Sequence, residues 1–152
     1  MDVYKKLEEM GLSLPQAVYP KGIYKPVKQV GSMLFVSGQT ASIDGEPAIC
    51  GRVGAERTID EGREAARLCT INALSQLENH LGDLNKIKGL VKTLGFVASA
   101  PDFYLQREVI DGASELLRDL FGEDAGVGTR SSIGTSMLSG NVTVEIEFIF
   151  EI

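Results

Sequence analysis

The sequence has little of what most metal sites and nucleophilic enzymes require. It contains one histidine, His80, and two cysteines, Cys50 and Cys69, whose spacing matches no metal-binding motif. Ser-His-Asp or Cys-His catalysis would therefore depend on His80 alone. His80 follows Glu78 and Asn79 in a predicted helix, and we interpret it as a surface residue. Walker and G-x-G-x-x-G loops are also missing, so we predict neither a metal ion nor a cofactor.

Charge and hydropathy exclude further classes of protein. The net charge is −6, and the densest basic stretch, residues 21–28, is short and interrupted by Pro26. A nucleic-acid surface needs clustered lysine and arginine, so we expect no nucleic-acid partner. No apolar run approaches the roughly 20 residues that span a bilayer, and the N-terminal MDVYKKLEEMG is amphipathic rather than a secretory signal. We therefore expect a cytoplasmic protein without a membrane partner, with both cysteines reduced and structural.

The order of predicted elements indicates an α+β fold. Its 152 residues fit one domain, so we predict a single domain over 1–152 in which 1–18 form a helix and a connector. The expected elements are a helix over 2–10 ended by Gly11, a connector over 14–20, strands over 24–30 and 32–37, a surface loop over 41–53, a helix over 58–81 opened by a T-x-x-E capping box, a strand over 87–98, a helix over 103–121 and two final strands. This β-β-α-β-α-β-β order predicts two layers, with two long helices on one face of a largely antiparallel sheet.

Residues 128–152 hold the most informative pattern. Arg130 stands at the head of one strand-like run, and Glu145 lies fifteen residues later in a run that alternates with period 2. The alternation predicts one buried apolar row, formed by Val142, Val144, Ile146, Phe148, Phe150 and Ile152. Glu145 then lies on the opposite face. A cation and a carboxylate brought together could hold a small anionic substrate beside an activated water.

The register of these strands bears on whether Arg130 and Glu145 meet. A tight hairpin at Ser139–Gly140 would pair Arg130 near Phe150 and Glu145 near Thr135. The two side chains would then lie about five residues apart, roughly 16 Å along the sheet. Either the turn is not tight or a second subunit completes the site, and we favour the second subunit.

Five stretches of the chain together resemble the Rid family, also called YjgF and formerly endoribonuclease L-PSP. They are KGIYKP around Tyr24, FVSGQT around Ser37 and Gly38, VIDGASELL around Asp111, and R-S-S-I-x-x-S-x-L followed by V-E-I-E. The resemblance covers about residues 19–152. The N-terminal helix and the GFV-x-S-A-P-x-F stretch are typical of a less characterised branch.

The resemblance implies a homotrimer of the chorismate-mutase-like fold, with clefts between subunits that bind a small carboxylate-bearing metabolite. It implies hydrolysis of reactive 2-imino or enamino acids to 2-oxo acids and ammonia. Arg130 would clamp the substrate carboxylate and Glu145 would position or activate the water. Tyr24 would line the cleft, and Ser37 and Gly38 would supply polar or backbone contacts. A guanidinium matches a carboxylate in geometry and stays protonated, and a carboxylate can accept the proton of water.

Departures from the family pattern leave the substrate open. Gly128 and Thr129 precede the arginine, Ser132 stands where deaminating members often have cysteine, and Asp111 replaces an asparagine. Asp111 and Ser132 remain candidates for substrate contact, and Asp111 would either repel a carboxylate or select a substrate with an amine. Leu138-Ser139 replaces the familiar leucine-proline. The alternative function is therefore a trimer that binds a 2-oxo acid or related carboxylate without turnover, and a ribonuclease is the least expected.

The residues by themselves also allow structural roles. Arg130 is compatible with a surface arginine of a strand, Glu145 with a solvent-exposed carboxylate and Tyr24 with a core aromatic. Ser37 and Gly38 are compatible with a turn at the end of a strand.

Overall fold

The computed structural model describes residues 2–152. Its helices are α1 (Val3–Glu9), α2 (Ile59–Leu81) and α3 (Gln106–Ala125), and its strands are β1 (Val27–Val30), β2 (Met33–Thr40), β3 (Ser42–Ile43), β4 (Glu46–Pro47), β5 (Gly89–Ala98), β6 (Thr129–Thr135) and β7 (Val144–Glu151). Short 3-10 turns occupy Leu84–Lys86 and Ser139–Asn141. The predicted element order is confirmed, with the small β3–β4 hairpin added inside the region expected to be loop.

The five main strands form one sheet in the order β1-β2-β7-β5-β6. All neighbours are antiparallel except β5 and β6, which run parallel. The parallel pair follows from the connection between them, because α3 crosses over the sheet and returns the chain to the same end. β2 lies inside the sheet as expected, with β7 in the middle.

The last two strands do not form a hairpin, so of the two alternatives left open, the one in which the turn is not tight describes the chain. β7 inserts between β2 and β5, and β6 lies on the far side of β5, so the two final strands are not neighbours. The chain between them contains a 3-10 turn at Ser139–Asn141 rather than a two-residue turn. A mixed sheet of this kind cannot be distinguished from a hairpin by strand periodicity, because both need the same alternation.

Both long helices cover one face of the sheet. α2 packs against β2 and β7, and α3 packs against β5 and β6. The alternating row predicted in β7 is the centre of this core, since Val144, Ile146, Phe148 and Phe150 are all buried. Burying such side chains contributes roughly 1.5–3 kcal/mol each relative to exposure, which places the stability of the fold in this layer.

The helix boundaries show which local signals were reliable. The capping box forms fully: the Thr58 hydroxyl accepts from Glu61 N–H, and the Glu61 carboxylate accepts from Thr58 N–H. The start of α3 was placed too early, because Phe103 N–H donates to the Ala100 carbonyl in a separate turn and the helix begins only at Gln106. β1 begins later than predicted, at Val27.

Candidate functional site

Two cavities lie beside predicted site residues, and the larger cavity is at the end of β2, where β1 no longer pairs with it. Its volume is about 320 Å3, and it is lined by the connector residues 15–21, by the polar face of α2, by the β3–β4 hairpin and by the turn before β7. Three of the predicted site residues, Tyr24, Gly38 and Glu145, line it. Arg130, Ser132 and Asp111 do not.

Two carboxylates line this cavity; Asp44 is exposed, and the less accessible one is Glu145. It is half-buried in β7, on the face opposite the buried Val144 and Ile146. Burial raises the pKa of Glu145, and the nearby carboxylate of Glu147 raises it further. A carboxylate whose pKa moves toward neutrality is a better acceptor for a proton of water than an ordinary one, because base strength and ionised fraction are both favourable.

Gly38 positions the Glu145 carboxylate. The β2–β7 register shifts between Val36 and Gln39, and Gly38 lies within this irregularity. A β-carbon at position 38 would lie 2.8 Å from Oε2 of Glu145, so the carboxylate occupies the space that a side chain at 38 would fill. Gly38 therefore leaves room for the Glu145 carboxylate beside the strand irregularity.

Tyr24 and Ser37 are near each other, but only Tyr24 lines the cavity. Tyr24 is half exposed and lines the cavity. Ser37 does not line it, since its hydroxyl donates to the Lys25 carbonyl at 2.6 Å and its N–H donates to the Pro26 carbonyl at 2.9 Å. Ser37 thus holds the segment that follows Tyr24.

The connector before β1 forms one wall of the cavity. Gln76 Nε2 donates to the Val18 carbonyl at 2.8 Å, and Lys21 Nζ donates to the Gly45 carbonyl at 2.7 Å. Asn72 Nδ2 donates to the carbonyls of Thr40 at 3.1 Å and of Ser42 at 2.9 Å, which holds the end of β2. The hydrogen bonds of Gln76 and Lys21 therefore hold the connector in place as a wall of the cavity.

Sequence reasoning missed this polar wall of α2. Asn72, Ser75 and Gln76 all line the cavity, and Ser75 and Gln76 are buried. Their spacing of three and four residues places them on one helical face, next to the apolar stripe. Polar residues at that spacing beside a buried stripe are a signal that could have identified them.

Arg130 lies elsewhere, on the edge strand β6. It projects toward α3, where its Nη1 donates to Asp111 Oδ1 at 2.7 Å and to Ser114 Oγ at 3.1 Å. The Arg130 side chain is 25% exposed and that of Asp111 is 41% exposed. The structure thus brings two predicted site residues, Arg130 and Asp111, into an ion pair.

A second, smaller cavity of about 180 Å3 adjoins Arg130. It is lined by Thr93, Ser114, Gly128 and other residues of β5, α3 and the loop before β6. The buried hydroxyl of Thr93 has no hydrogen-bond partner among the described residues, and neither has that of Ser132. A buried hydroxyl without a partner costs about 1–3 kcal/mol, so such groups are uncommon away from water or ligands.

Arg130 and Glu145 cannot meet within one chain. Arg130 pairs with Thr93, and Glu145 pairs with Phe96, so three residues of β5 separate them along the sheet. They also lie two strands apart, which adds about 10 Å sideways to about 10 Å lengthwise. Finally, Arg130 faces the helices and Glu145 the opposite side. The predicted separation holds, although its geometry differs from the hairpin.

The remaining candidates for chemistry lie outside both cavities. Cys69 is buried, its thiol donates to the Val144 carbonyl at 3.3 Å, and burial raises its pKa well above the usual value. His80 is exposed, and its Nε2 lies 3.0 Å from Gln29 Oε1. Within residues 2–152, no three His, Cys, Asp or Glu side chains are grouped to hold a metal ion. In the same range, no helix has the length and apolar character needed to cross a membrane.

A family model and a related protein both match nearly the whole chain. The family model described as "YjgF/chorismate_mutase-like, putative endoribonuclease" matches residues 5–150. Protein TCP17 of Trypanosoma cruzi is 37% identical over 150 residues, which cover 99% of this chain and 94% of that protein.

Solved structures agree over almost the whole chain. The protein Atu1372 of Agrobacterium tumefaciens, of unknown function, is 39% identical, with a TM-score of 0.90 over 99% of this chain and 93% of that one. A Shewanella oneidensis protein is 32% identical, with a TM-score of 0.95 over 100% of both chains. At 22% identity, TdcF of E. coli with bound serine shares the fold, with a TM-score of 0.58 over 91% of this chain and 93% of that one.

Proposed function

The chain belongs to the YjgF/chorismate-mutase-like family, and on that premise we propose that it hydrolyses small 2-imino or enamino acids to 2-oxo acids and ammonia. We propose further that each chain is one domain and that three chains assemble, with each site formed between two of them. The observation that carries the proposal is the division of the site: a half-buried base lies in one cavity, and the carboxylate-binding cation lies on a distant sheet edge.

The division has a simple structural solution. β6 is an edge strand, so another chain could reach Arg130 at that edge, whereas Glu145 lines the cavity at the end of β2. A symmetric ring repeats one contact around its axis, so the edge of each subunit would reach the cavity of the next. The bound serine in TdcF supports a ligand of amino-acid size in this fold.

The chemistry needs few groups. Arg130 of one subunit binds the substrate carboxylate, and Glu145 of the next takes a proton from a water molecule. The water oxygen bonds to the imine carbon while the second electron pair of the C=N bond takes a proton at nitrogen, which gives a carbinolamine. The remaining carbon–nitrogen bond then breaks as the C=O bond forms, and nitrogen leaves as ammonia with both protons of the water. Holding water and an already electrophilic carbon in contact supplies much of the acceleration.

Direct assay tests the activity. Freshly generated 2-iminopropanoate should release ammonia faster with the wild-type protein than without it. Glu145→Gln should lower kcat by about 100-fold or more, since general base catalysis contributes on that order. Arg130→Ala should remove most of kcat/KM. The absence of acceleration with several imino acids would exclude the proposed reaction.

A mixing experiment tests the shared site. Arg130→Ala and Glu145→Gln are each inactive alone, but in co-expressed mixed trimers some sites receive both intact residues. Random mixing at equal amounts should restore about a quarter of wild-type activity, because a site needs the intact residue from each of two neighbours. Activity that stays at the level of the two single variants would show that one subunit supplies both residues.

One observation favours the alternative of binding without turnover. The Arg130 guanidinium is already paired with Asp111 at 2.7 Å, so a carboxylate ligand must share it. Under this alternative, 2-oxo acids raise the melting temperature of wild-type protein but not of Arg130→Ala, and no imino acid is hydrolysed. Hydrolysis by the wild-type protein decides against it.

A further inference from the structure

The ion pair between Arg130 and Asp111 joins the cation of the proposed site to a carboxylate of the same chain. Nη1 of Arg130 makes both recorded contacts, to Asp111 Oδ1 at 2.7 Å and to Ser114 Oγ at 3.1 Å. A guanidinium has five N–H donors, so Nε and Nη2 keep three of them. Among residues 2–152 these three have no recorded partner, and neither has Oδ2 of Asp111.

We infer that this pair is a recognition unit for ligands that carry both charges: the free edge of Arg130 binds a carboxylate, and Asp111 binds the ammonium or protonated imine beside it. The inference rests on the proposed function and names its substrate class. It selects zwitterionic imino and amino acids over simple monoanions such as 2-oxo acids.

The charges around the pair support this selectivity. The next ion pair on α3, Glu115 with Arg63, closes at 2.6 Å and adds no net charge. Arg130 and Asp111 therefore form a locally neutral unit. A monoanion would leave the unit with a net negative charge and place its carboxylate near Asp111, whereas a zwitterion keeps the unit neutral and satisfies both partners.

The same arrangement helps the proposed reaction. An imino acid with a protonated nitrogen and an ionised carboxyl group has no net charge, and protonation makes its C2 carbon more electrophilic. Addition of one water then yields a 2-oxo acid anion and an ammonium ion, so atoms and charge balance. A carboxylate next to the nitrogen favours the protonated imine, because an opposite charge at close range stabilises the charged form.

Two probes with the same three-carbon skeleton test the inference. Pyruvate is a monoanion and L-alanine is a zwitterion, and the affinity of the intact oligomer for each is measured by calorimetry. Asp111→Asn should bind pyruvate about fivefold more tightly and L-alanine about fivefold more weakly than wild type, roughly the effect of one charge-assisted contact. Asp111→Glu keeps the charge and should keep the wild-type preference for L-alanine.

Glu115→Gln is the matched control. It removes one carboxylate from the same helix, four residues along, but its partner is Arg63 rather than Arg130. It leaves the charge of Arg63 uncompensated near Asp111, but Arg63 does not contact Arg130, so the ratio of the two affinities should change much less than in Asp111→Asn.

The outcomes separate this inference from the proposed function. If Asp111→Asn leaves the ratio unchanged while the wild-type protein hydrolyses 2-iminopropanoate, the inference is wrong and the activity stands. If Glu115→Gln shifts the ratio as much as Asp111→Asn does, the effect is one of general charge and the inference again fails. Wild-type protein that binds neither probe and hydrolyses no imino acid overturns both.

Discussion

Gly38 contributes to the larger cavity by lacking a side chain, because the Glu145 carboxylate occupies the space that a β-carbon at position 38 would fill. The glycine has no alternative explanation in its own backbone, because its φ does not lie in the left-handed region, unlike that of Gly31 at +59°. Space for the Glu145 carboxylate is what position 38 provides. The glycine at position 38 is thus explained by the space that the site needs and not by a backbone conformation that only glycine adopts.

Gly38→Ala should separate activity from stability. The added β-carbon displaces the end of the Glu145 side chain, which is flexible, so the melting temperature should fall by only about 2 °C while kcat falls at least tenfold. Gly31→Ala is the control in which stability changes and the site does not. Nothing lies within 4 Å of the new β-carbon, but alanine rarely adopts the positive φ of this position. This substitution should cost about 1 kcal/mol of unfolding free energy and leave kcat unchanged. Unchanged kcat in Gly38→Ala would contradict the positioning role.

The raised pKa of Glu145 makes stability depend on pH. A carboxyl group with a raised pKa in the folded state stabilises the fold below its ordinary value of 4.5, and this contribution is lost as pH rises through the folded pKa. Glu145→Gln should therefore raise the melting temperature at pH 7 by about 2 °C and lose this advantage below pH ~4. Thermal unfolding across pH measures the difference, and Glu151→Gln, exposed on the same strand face, controls for the removal of charge. An advantage that persists at acid pH would have another cause.

At the scale of elements, the connector over residues 12–26 decides the shape of the larger cavity. It has no helix or strand of its own, and a few hydrogen bonds fix it, among them the one from buried Gln76 to Val18. Segments held by few contacts open at low free energy. The connector is therefore the part of the cavity wall that local changes can loosen.

Gln76→Ala should loosen this wall. Losing one hydrogen bond costs about 1 kcal/mol, and the connector should become sensitive to trypsin at the Lys21-Gly22 bond while KM rises about threefold. Gln106→Ala is the matched control, since Gln106 Nε2 donates to the Phe103 carbonyl at 2.8 Å at the start of the other long helix. It should lose similar stability without faster cleavage after Lys21. Equal cleavage in both variants would show a general loss of stability instead.

At the scale of the whole molecule, the sheet presents one face without helices. This face carries apolar side chains between its carboxylates, and Phe35 and Ile133 are each 42% exposed. Phe96 lies beside both Ile133 and Glu145, which links this face to the larger cavity. Apolar side chains on such a face are typical of surfaces that contact other subunits.

Ile133→Asp should disrupt the proposed assembly. A charge in a buried interface costs several kcal/mol unless it is paired, so sedimentation should show 16.4 kDa chains in place of trimers. Circular dichroism should remain that of the wild type, and hydrolysis should be lost with the shared site. Tyr104→Asp, at a position 80% exposed in the loop before α3, should leave the oligomer intact. Wild-type protein that sediments as a monomer would contradict the trimer itself.

The order of the amino acids is enough to predict the elements and the core. Local rules decide these features, so the capping box at Thr58, the end of α2 before Gly82 and the buried alternating row of β7 all follow the prediction. The motifs also predicted the family and its α+β fold correctly. The predicted start of α3 was wrong because a separate turn at Ala100–Phe103 precedes the helix. Residue type alone does not distinguish such a turn from the first turn of a helix.

The distribution of the site residues depends on long-range packing. The insertion of β7 between β2 and β5 is a long-range pairing, and periodicity does not encode which strands become neighbours. In the resulting fold, Arg130 and Glu145 lie on opposite faces of the sheet. Arg130 of β6 pairs with Asp111 of α3, in the helical layer. The fold also brings α2 and the connector to Glu145. Contacts between residues far apart in the chain form only when the layers pack, and for that reason the sequence named the residues but not their partners.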